Sequence, residues 1–141
     1  MPEGTTPLRL LLIEDDADVA AMYALALMAA GHDVRVAFDG RSGLKAARRR
    51  PPPDLLLLDA RLPQLEGYAL LERLREDQVT ATLPVVILSN FRTPEMAQRG
   101  VQLGAMAHLL KSETTPGQLR ARIDAWCESQ ILRPRETLDP A

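Results

Sequence analysis

The chain has 141 residues, 46% hydrophobic and 26% charged, which suits one soluble domain with a single sizeable core. A net charge of −2 gives no broad attraction to nucleic acid or to an anionic membrane surface. A single cysteine, Cys127, excludes an internal disulfide and a cysteine-rich zinc centre. No apolar run approaches the ~20 residues of a membrane span or the core of a secretion signal, so the expectation is a cytoplasmic protein with no nucleic-acid and no membrane partner.

Strand and helix signals alternate along the chain. Residues 8–13 are an apolar run that reads as a buried strand, and it leads directly into Glu14, Asp15 and Asp16. Asp16 is placed to cap a helix over 17–30, stopped by Gly31. A short β-branched strand follows at 34–38, then an Asp39-Gly40 turn. The next helix starts at Ser42 and ends in Arg48, Arg49 and Arg50, basic residues that suit its C-terminal dipole and read as a solvated end rather than a nucleic-acid patch. Residues 54–58, "DLLLL", are a second fully apolar strand, and roughly 65–77 is an amphipathic helix with Leu70, Leu71 and Leu74 on one face. Pro84 opens a strand at 85–88. A helix over 94–103 is stopped by Gly104, a last strand lies at 107–110, and Thr115-Pro116 starts a helix running to about residue 130, with Leu119, Ile123 and Trp126 at core spacing. The ends, 1–6 and 131–141, read as short flexible termini around one domain at 7–130, with no output domain expected.

Five strands in strict alternation with five helices predict an α/β, doubly wound parallel sheet with helices on both faces; apolar strands buried on both sides agree. Ligands in such sheets bind beyond the carboxyl ends of the strands. At those ends the sequence puts Glu14-Asp15-Asp16, Asp59, Ser89-Asn90 and Lys111, the last being one of only two lysines among 17 basic residues. If Glu14, Asp15 and Asp59 lie within ~5 Å of one another, each like-charge pair costs roughly 3 kcal/mol at an effective dielectric near 20. Three such pairs approach the whole stability of a small domain, about 5–15 kcal/mol. A raised pKa or a bound cation has to relieve the repulsion, and oxygen-only ligands select a hard cation, Mg²⁺ or Mn²⁺.

With those pieces in order, the sequence resembles the response regulator receiver domain of two-component signalling, over about residues 7–130. "LLLIEDD", "DLLLLDARLPQLEGYALL", "LPVVILSN" and "GAMAHLLKS" carry the likeness. The resemblance implies a flavodoxin-like (βα)5 sheet in strand order 2-1-3-4-5. It implies that Asp59 is the phosphoacceptor, that Asp15 binds Mg²⁺ directly and Glu14 through water, and that the carbonyl of Arg61 is a further ligand. Ser89 would donate to a phosphoryl oxygen, Lys111 would pair with Asp59 or its phosphoryl group, and Ser89 and His108 would move as the switch. The loop holding Pro63 and Gly67 resembles the family's turn after the acceptor. The donor would be a histidine kinase or a His-phosphotransfer protein, and a downstream protein would dock on the fourth helix, fifth strand and fifth helix.

The sequence departs from the family pattern at several positions. His108 stands where an aromatic, often Tyr, is usual. Asn90 replaces a small Ala or Gly, and Arg61 and Phe91 occupy positions that tune removal of the phosphoryl group; together they are expected to crowd the attacking water and slow self-dephosphorylation. Ser112 replaces the proline whose peptide bond is usually cis in the family. A cis bond before serine costs roughly 2.5–4 kcal/mol, so a trans Lys111–Ser112 bond is expected, with Lys111 still reaching Asp59. "AMAH" lacks the acids that dimerising members carry before the last strand. The function implied is a phosphorylation-activated switch and not a turnover enzyme. Two alternatives remain open at this point: a phosphorylation-independent adaptor, and a Mg²⁺-dependent phosphatase with an Asp nucleophile, which would want an acid where Arg61 stands.

Overall fold

Leucines and valines that alternate between the two sides of five short strands build this molecule from the centre outward. The computed structural model describes residues 6–62 and 66–135. Its elements run β1 (Arg9–Ile13), α1 (Ala17–Ala29), β2 (Asp33–Ala37), α2 (Gly40–Ala47), β3 (Leu55–Asp59), α3 (Gly67–Glu76), β4 (Val85–Ser89), α4 (Pro94–Gln102), β5 (Ala107–Leu110) and α5 (Pro116–Glu128). All strands pair in parallel, in the order β2-β1-β3-β4-β5, as the resemblance implied.

The period of two along each strand sends successive residues to opposite layers. Leu10, Leu12, Leu55, Leu57, Val86 and Leu88 pack with Tyr23 and Leu27 of α1 and with Leu119 and Ile123 of α5. Leu11, Ile13, Leu56, Leu58, Val85 and Ile87 pack with α3 through Leu70, Leu71 and Leu74. Leu55 to Leu58 are at most 1% exposed, each contributing about 2 kcal/mol of burial. Leu119 and Ile123 are core as their spacing predicted, and Trp126 is half-buried against the same layer.

Helix ends follow side-chain chemistry. Asp16 caps α1 by accepting from the N–H groups of Asp18 and Val19. Gly31 and Gly104 take positive φ just after α1 and α4, where a Cβ is disfavoured. Thr115 and Gln118 form a reciprocal capping box at α5. Four expectations are corrected. Asp39 is not part of a turn: its carboxylate accepts from the Ser42 N–H and caps α2, which begins at Gly40 rather than Ser42. Asp54 lies just before β3, which runs one residue further, to Asp59; Asp54 is 1% exposed, and its carboxylate accepts the N–H groups of Arg9 and Arg135. Residues 131–135, expected to be loose, are therefore tied down, with Leu132 only 2% exposed against the core. Arg48 is also not simply a solvated end, since it pairs with Asp77. Pro63, Leu65 and the last six residues, on which expectations were placed, lie outside the described residues.

Candidate functional site

Strand register sets the level of the rim. Ile13 pairs with Leu58, Asp59 with Leu88, and Ser89 with Leu110, so Glu14, Asp59, Ser89 and Lys111 all emerge at the same edge of the sheet. Glu14, Asp15 and Asp59 each offer a carboxylate oxygen within 4.8 Å of the others'. Glu14 is 1% and Asp59 5% exposed, while Asp15 faces solvent.

The buried carboxylates are held by a cation of the chain itself. Lys111 Nζ lies 2.5 Å from Glu14 Oε1 and 3.3 Å from Asp59 Oδ2, so the lysine expected to pair with Asp59 is shared and sits closer to Glu14. Burial pushes the Glu14 carboxyl up to about 7; Lys111 and the Asp16 N–H oppose the rise, and Asp59 adds to it. Burial alone would lower the Lys111 ammonium, but Glu14 and Asp59 more than reverse this and raise it. The Lys111–Ser112 bond is trans, as Ser112 predicted: the cis bond among the described residues is Arg50–Pro51. A short 3-10 turn, Lys111–Glu113, redirects the chain instead, and buried Tyr23 of α1 pins it by donating its hydroxyl to the Thr114 carbonyl at 2.7 Å.

Asp59 has two further neighbours. The Arg61 N–H donates to Asp59 Oδ1 at 3.0 Å. Gly67, at the start of α3, packs so closely that a methyl group there would fall on the Asp59 carbonyl oxygen and on Ala60, which accounts for glycine after the acceptor loop. Above the rim, the exposed Arg61 guanidinium lies 4.7 Å from the centre of the Phe91 ring.

Ser89 is brought to the rim but is not bonded to Asp59. Its hydroxyl lies 2.6 Å from the Phe91 carbonyl and 2.7 Å from His108 Nε2. His108 Nδ1 is in turn 3.4 Å from the hydroxyl of Tyr68 on α3, itself 3% exposed. Tyr68 and Tyr23 were not singled out from the sequence, because a tyrosine at core spacing looks like packing until its hydroxyl partner is known, and those partners are 40 and 91 residues away.

The oxygen-only donor set of Glu14, Asp15 and Asp59, whose carboxylate oxygens lie within 4.8 Å of one another, fits a hard divalent cation. Two buried acids, Glu14 and Asp59, an exposed third, Asp15, and Lys111 thus meet at the carboxyl edge of a doubly wound sheet. The model of the response regulator receiver domain matches residues 10–124, and the chain belongs to that family. It is 36% identical over 117 residues to the gliding motility regulatory protein of Myxococcus xanthus, covering 83% of this chain and 15% of that one. It is 36% identical over 103 residues to the DNA-binding dual master transcriptional regulator RpaA of Synechocystis, covering 73% and 42%. The BeF3-activated N-terminal receiver domain of Klebsiella pneumoniae RstA superposes with a TM-score of 0.73 at 30% identity, covering 83% and 96%.

The chain thus spans less than half the length of these two curated relatives. One of them is named as DNA-binding, so the low charge that argued against a nucleic-acid partner describes this chain alone. Receiver domains of two-component response regulators are phosphorylation-based switches and not turnover enzymes. They bind Mg²⁺ at an acidic pocket and are phosphorylated by histidine kinases. Among the described residues, no helix is long and apolar enough to cross a membrane.

Proposed function

We propose that the chain is a signalling switch that takes a phosphoryl group onto Asp59 from a phosphohistidine of a histidine kinase or phosphotransfer protein, and passes the change to a docked partner. The observation that carries this reading is Asp59 itself: a buried carboxylate between the Lys111 ammonium at 3.3 Å and a backbone N–H donor, that of Arg61, at 3.0 Å. An Asp59 oxygen attacks phosphorus, the P–N bond of the donor breaks, and its electron pair returns to the imidazole, leaving an acyl phosphate. Lys111 stays on the reacting oxygens because Glu14 anchors its other side. Asp15, Asp59 and the Arg61 carbonyl, with Glu14 through water, would hold Mg²⁺, which would supply charge neutralisation for the entering phosphoryl oxygens. Ser89 then turns from Phe91 to donate to a phosphoryl oxygen, and His108, losing its partner, moves with it.

His108 also lines a groove of about 490 Å³ with Arg92, Glu113, Gln118 and Arg122, between the β4–α4 loop, β5 and α5. This supports docking of the downstream protein on the α4–β5–α5 face. A Lys111 directed away from Asp59 would have favoured the adaptor; at 3.3 Å from Asp59 it supports the switch. Mass spectrometry after exposure to acetyl phosphate with Mg²⁺ tests the reading. One phosphoryl mass is expected on the wild type and none on Asp59→Asn; a modification that survives in Asp59→Asn overturns it.

A further inference from the structure

Ser89, His108 and Tyr68 share a set of protons that closes in only one way. The Phe91 carbonyl can only accept, so the single hydroxyl proton of Ser89 goes to it, 2.6 Å away. Ser89 Oγ then accepts from His108 Nε2–H at 2.7 Å. That leaves His108 Nδ1 bare, and it accepts the hydroxyl proton of Tyr68 at 3.4 Å. Three donors meet three acceptors. With the proton on Nδ1 instead, Ser89 would have to turn its proton to Nε2, Phe91 would lose it, and the buried Tyr68 hydroxyl would have no acceptor here. Burial, with Arg92 adding to it, lowers the pKa of His108, in keeping with a neutral ring.

Tyr68 is itself fixed. It is 3% exposed on α3, its ring meets that of His108 edge-on with centroids 6.3 Å apart, and the Arg99 guanidinium of α4 lies 5.3 Å from its centre. His108 is therefore held from behind, and the hydroxyl that should serve the phosphoryl group is held by His108 and Phe91.

We propose that Tyr68 is a positioning residue for the switch: by fixing the Nε2–H tautomer of His108 it keeps the Ser89 hydroxyl turned away from Asp59 until a phosphoryl group draws it over. The proposal rests on Asp59 being the acceptor. Tyr68→Phe keeps the ring and its packing and deletes the hydroxyl whose proton fixes the tautomer. In the Nδ1–H form Ser89 keeps one hydrogen bond, to His108, instead of two, and is released more easily by about one hydrogen bond's worth.

The test uses the full chain, ¹⁵N-labelled, with long-range histidine spectra of the unphosphorylated protein and the rate of phosphorylation by acetyl phosphate with Mg²⁺. The wild type is expected to show His108 protonated at Nε2, and Tyr68→Phe to show an added Nδ1–H population. Phosphorylation of Tyr68→Phe should be about three- to ten-fold faster. In a His108→Phe background, adding Tyr68→Phe should change the rate no further. An Nδ1–H tautomer in the wild type overturns the proposal, as does an unchanged spectrum in Tyr68→Phe or an equal rate change in both backgrounds, which would make Tyr68 a packing residue only. Should Tyr68→Phe fail to fold, the wild-type tautomer decides. Labelling that persists in Asp59→Asn removes the acceptor reading instead, and leaves the proton arrangement to be judged on the spectra.

Discussion

Glu14 concentrates the electrostatics of the site. The sequence placed it at the end of a buried strand, and the structure makes it the innermost acid, with its carboxyl pushed up to about 7 by burial. A group that must lose its proton before it can serve a cation makes cation binding pH-dependent. Mg²⁺ affinity, measured by calorimetry, should rise by up to about ten-fold per unit between pH 5.5 and 7 and level off above. Glu14→Gln should bind more weakly and without that slope; a flat wild-type profile would place Glu14 outside the titration. Near it, the exposed Arg61 guanidinium lies 4.7 Å from the centre of the Phe91 ring. An exposed cation–π contact is worth about 0.5–1 kcal/mol, so Phe91→Ala should shorten the acyl-phosphate half-life about two- to five-fold, and an unchanged decay would mean that the pair does not screen water. Glu14, Asp15, Asp59 and Lys111 were legible because each ends a run of apolar residues. The engagement of Ser89 by His108 was not, since hydroxyl orientation depends on a side chain from the neighbouring strand.

Among the elements, those with one apolar stripe and a clear cap were read nearly to the residue: β5 matches, and α1 and α4 each end one residue short of expectation. Asp39, read as a turn, is a cap, because the two use the same side-chain chemistry; Asp54, read as the first strand residue, binds N–H groups 45 and 81 residues away, which no local pattern shows. Arg75 escaped notice altogether. It sits in the last turn of α3, where a basic residue looks like a dipole partner. In the structure its guanidinium donates to the Leu103 and Leu83 carbonyls at 2.7 Å and to those of Ala81, Gly104 and Thr80 at 3.1, 3.3 and 3.4 Å. It thereby clamps the end of α4 to the approach to β4, adding to Met96 against the core and to Arg99 on Glu72 and Tyr68, in a helix of which only Gly100 is buried. Arg75→Met keeps the stem and removes the guanidinium from the Leu83, Ala81, Leu103 and Gly104 carbonyls, while Thr80 keeps the Leu83 N–H, at a cost on the order of 3 kcal/mol. A lower denaturant midpoint with faster amide exchange in α4 is the expected result, whereas a wild-type midpoint would show that water replaces the clamp freely.

Over the whole molecule, the two edges of the sheet respond oppositely to acid. At the carboxyl edge, Glu14 retains in the fold a proton that the unfolded chain releases from about pH 4.5 upward, so its contribution to stability grows as pH falls from 7 towards 4.5. At the amino edge, His32 is 5% exposed, and its Nδ1 accepts the Leu8 N–H at 3.1 Å, which holds the entry to β1. A proton on Nδ1 would break that bond, and Nε2 has no hydrogen-bond partner among the described residues. Burial therefore lowers the His32 pKa, with Asp124 opposing and Arg120 assisting. Because the folded pKa lies below the unfolded value of 6.5, the unfolded chain binds the extra proton once pH drops through 6.5. Stability from His32 is complete above that value and is lost below it, at no more than about 1.4 kcal/mol per pH unit for one proton. His32→Gln can still offer an oxygen to Leu8 but has nothing to titrate. Glu14 lies at the far end of β1 and should contribute equally to both proteins. In chelator, urea midpoints at pH 7.5 and 5.5 should therefore fall further for the wild type than for His32→Gln. Parallel losses would show that the folded protein accepts the His32 proton, and that the Leu8 hydrogen bond does not depend on a neutral ring.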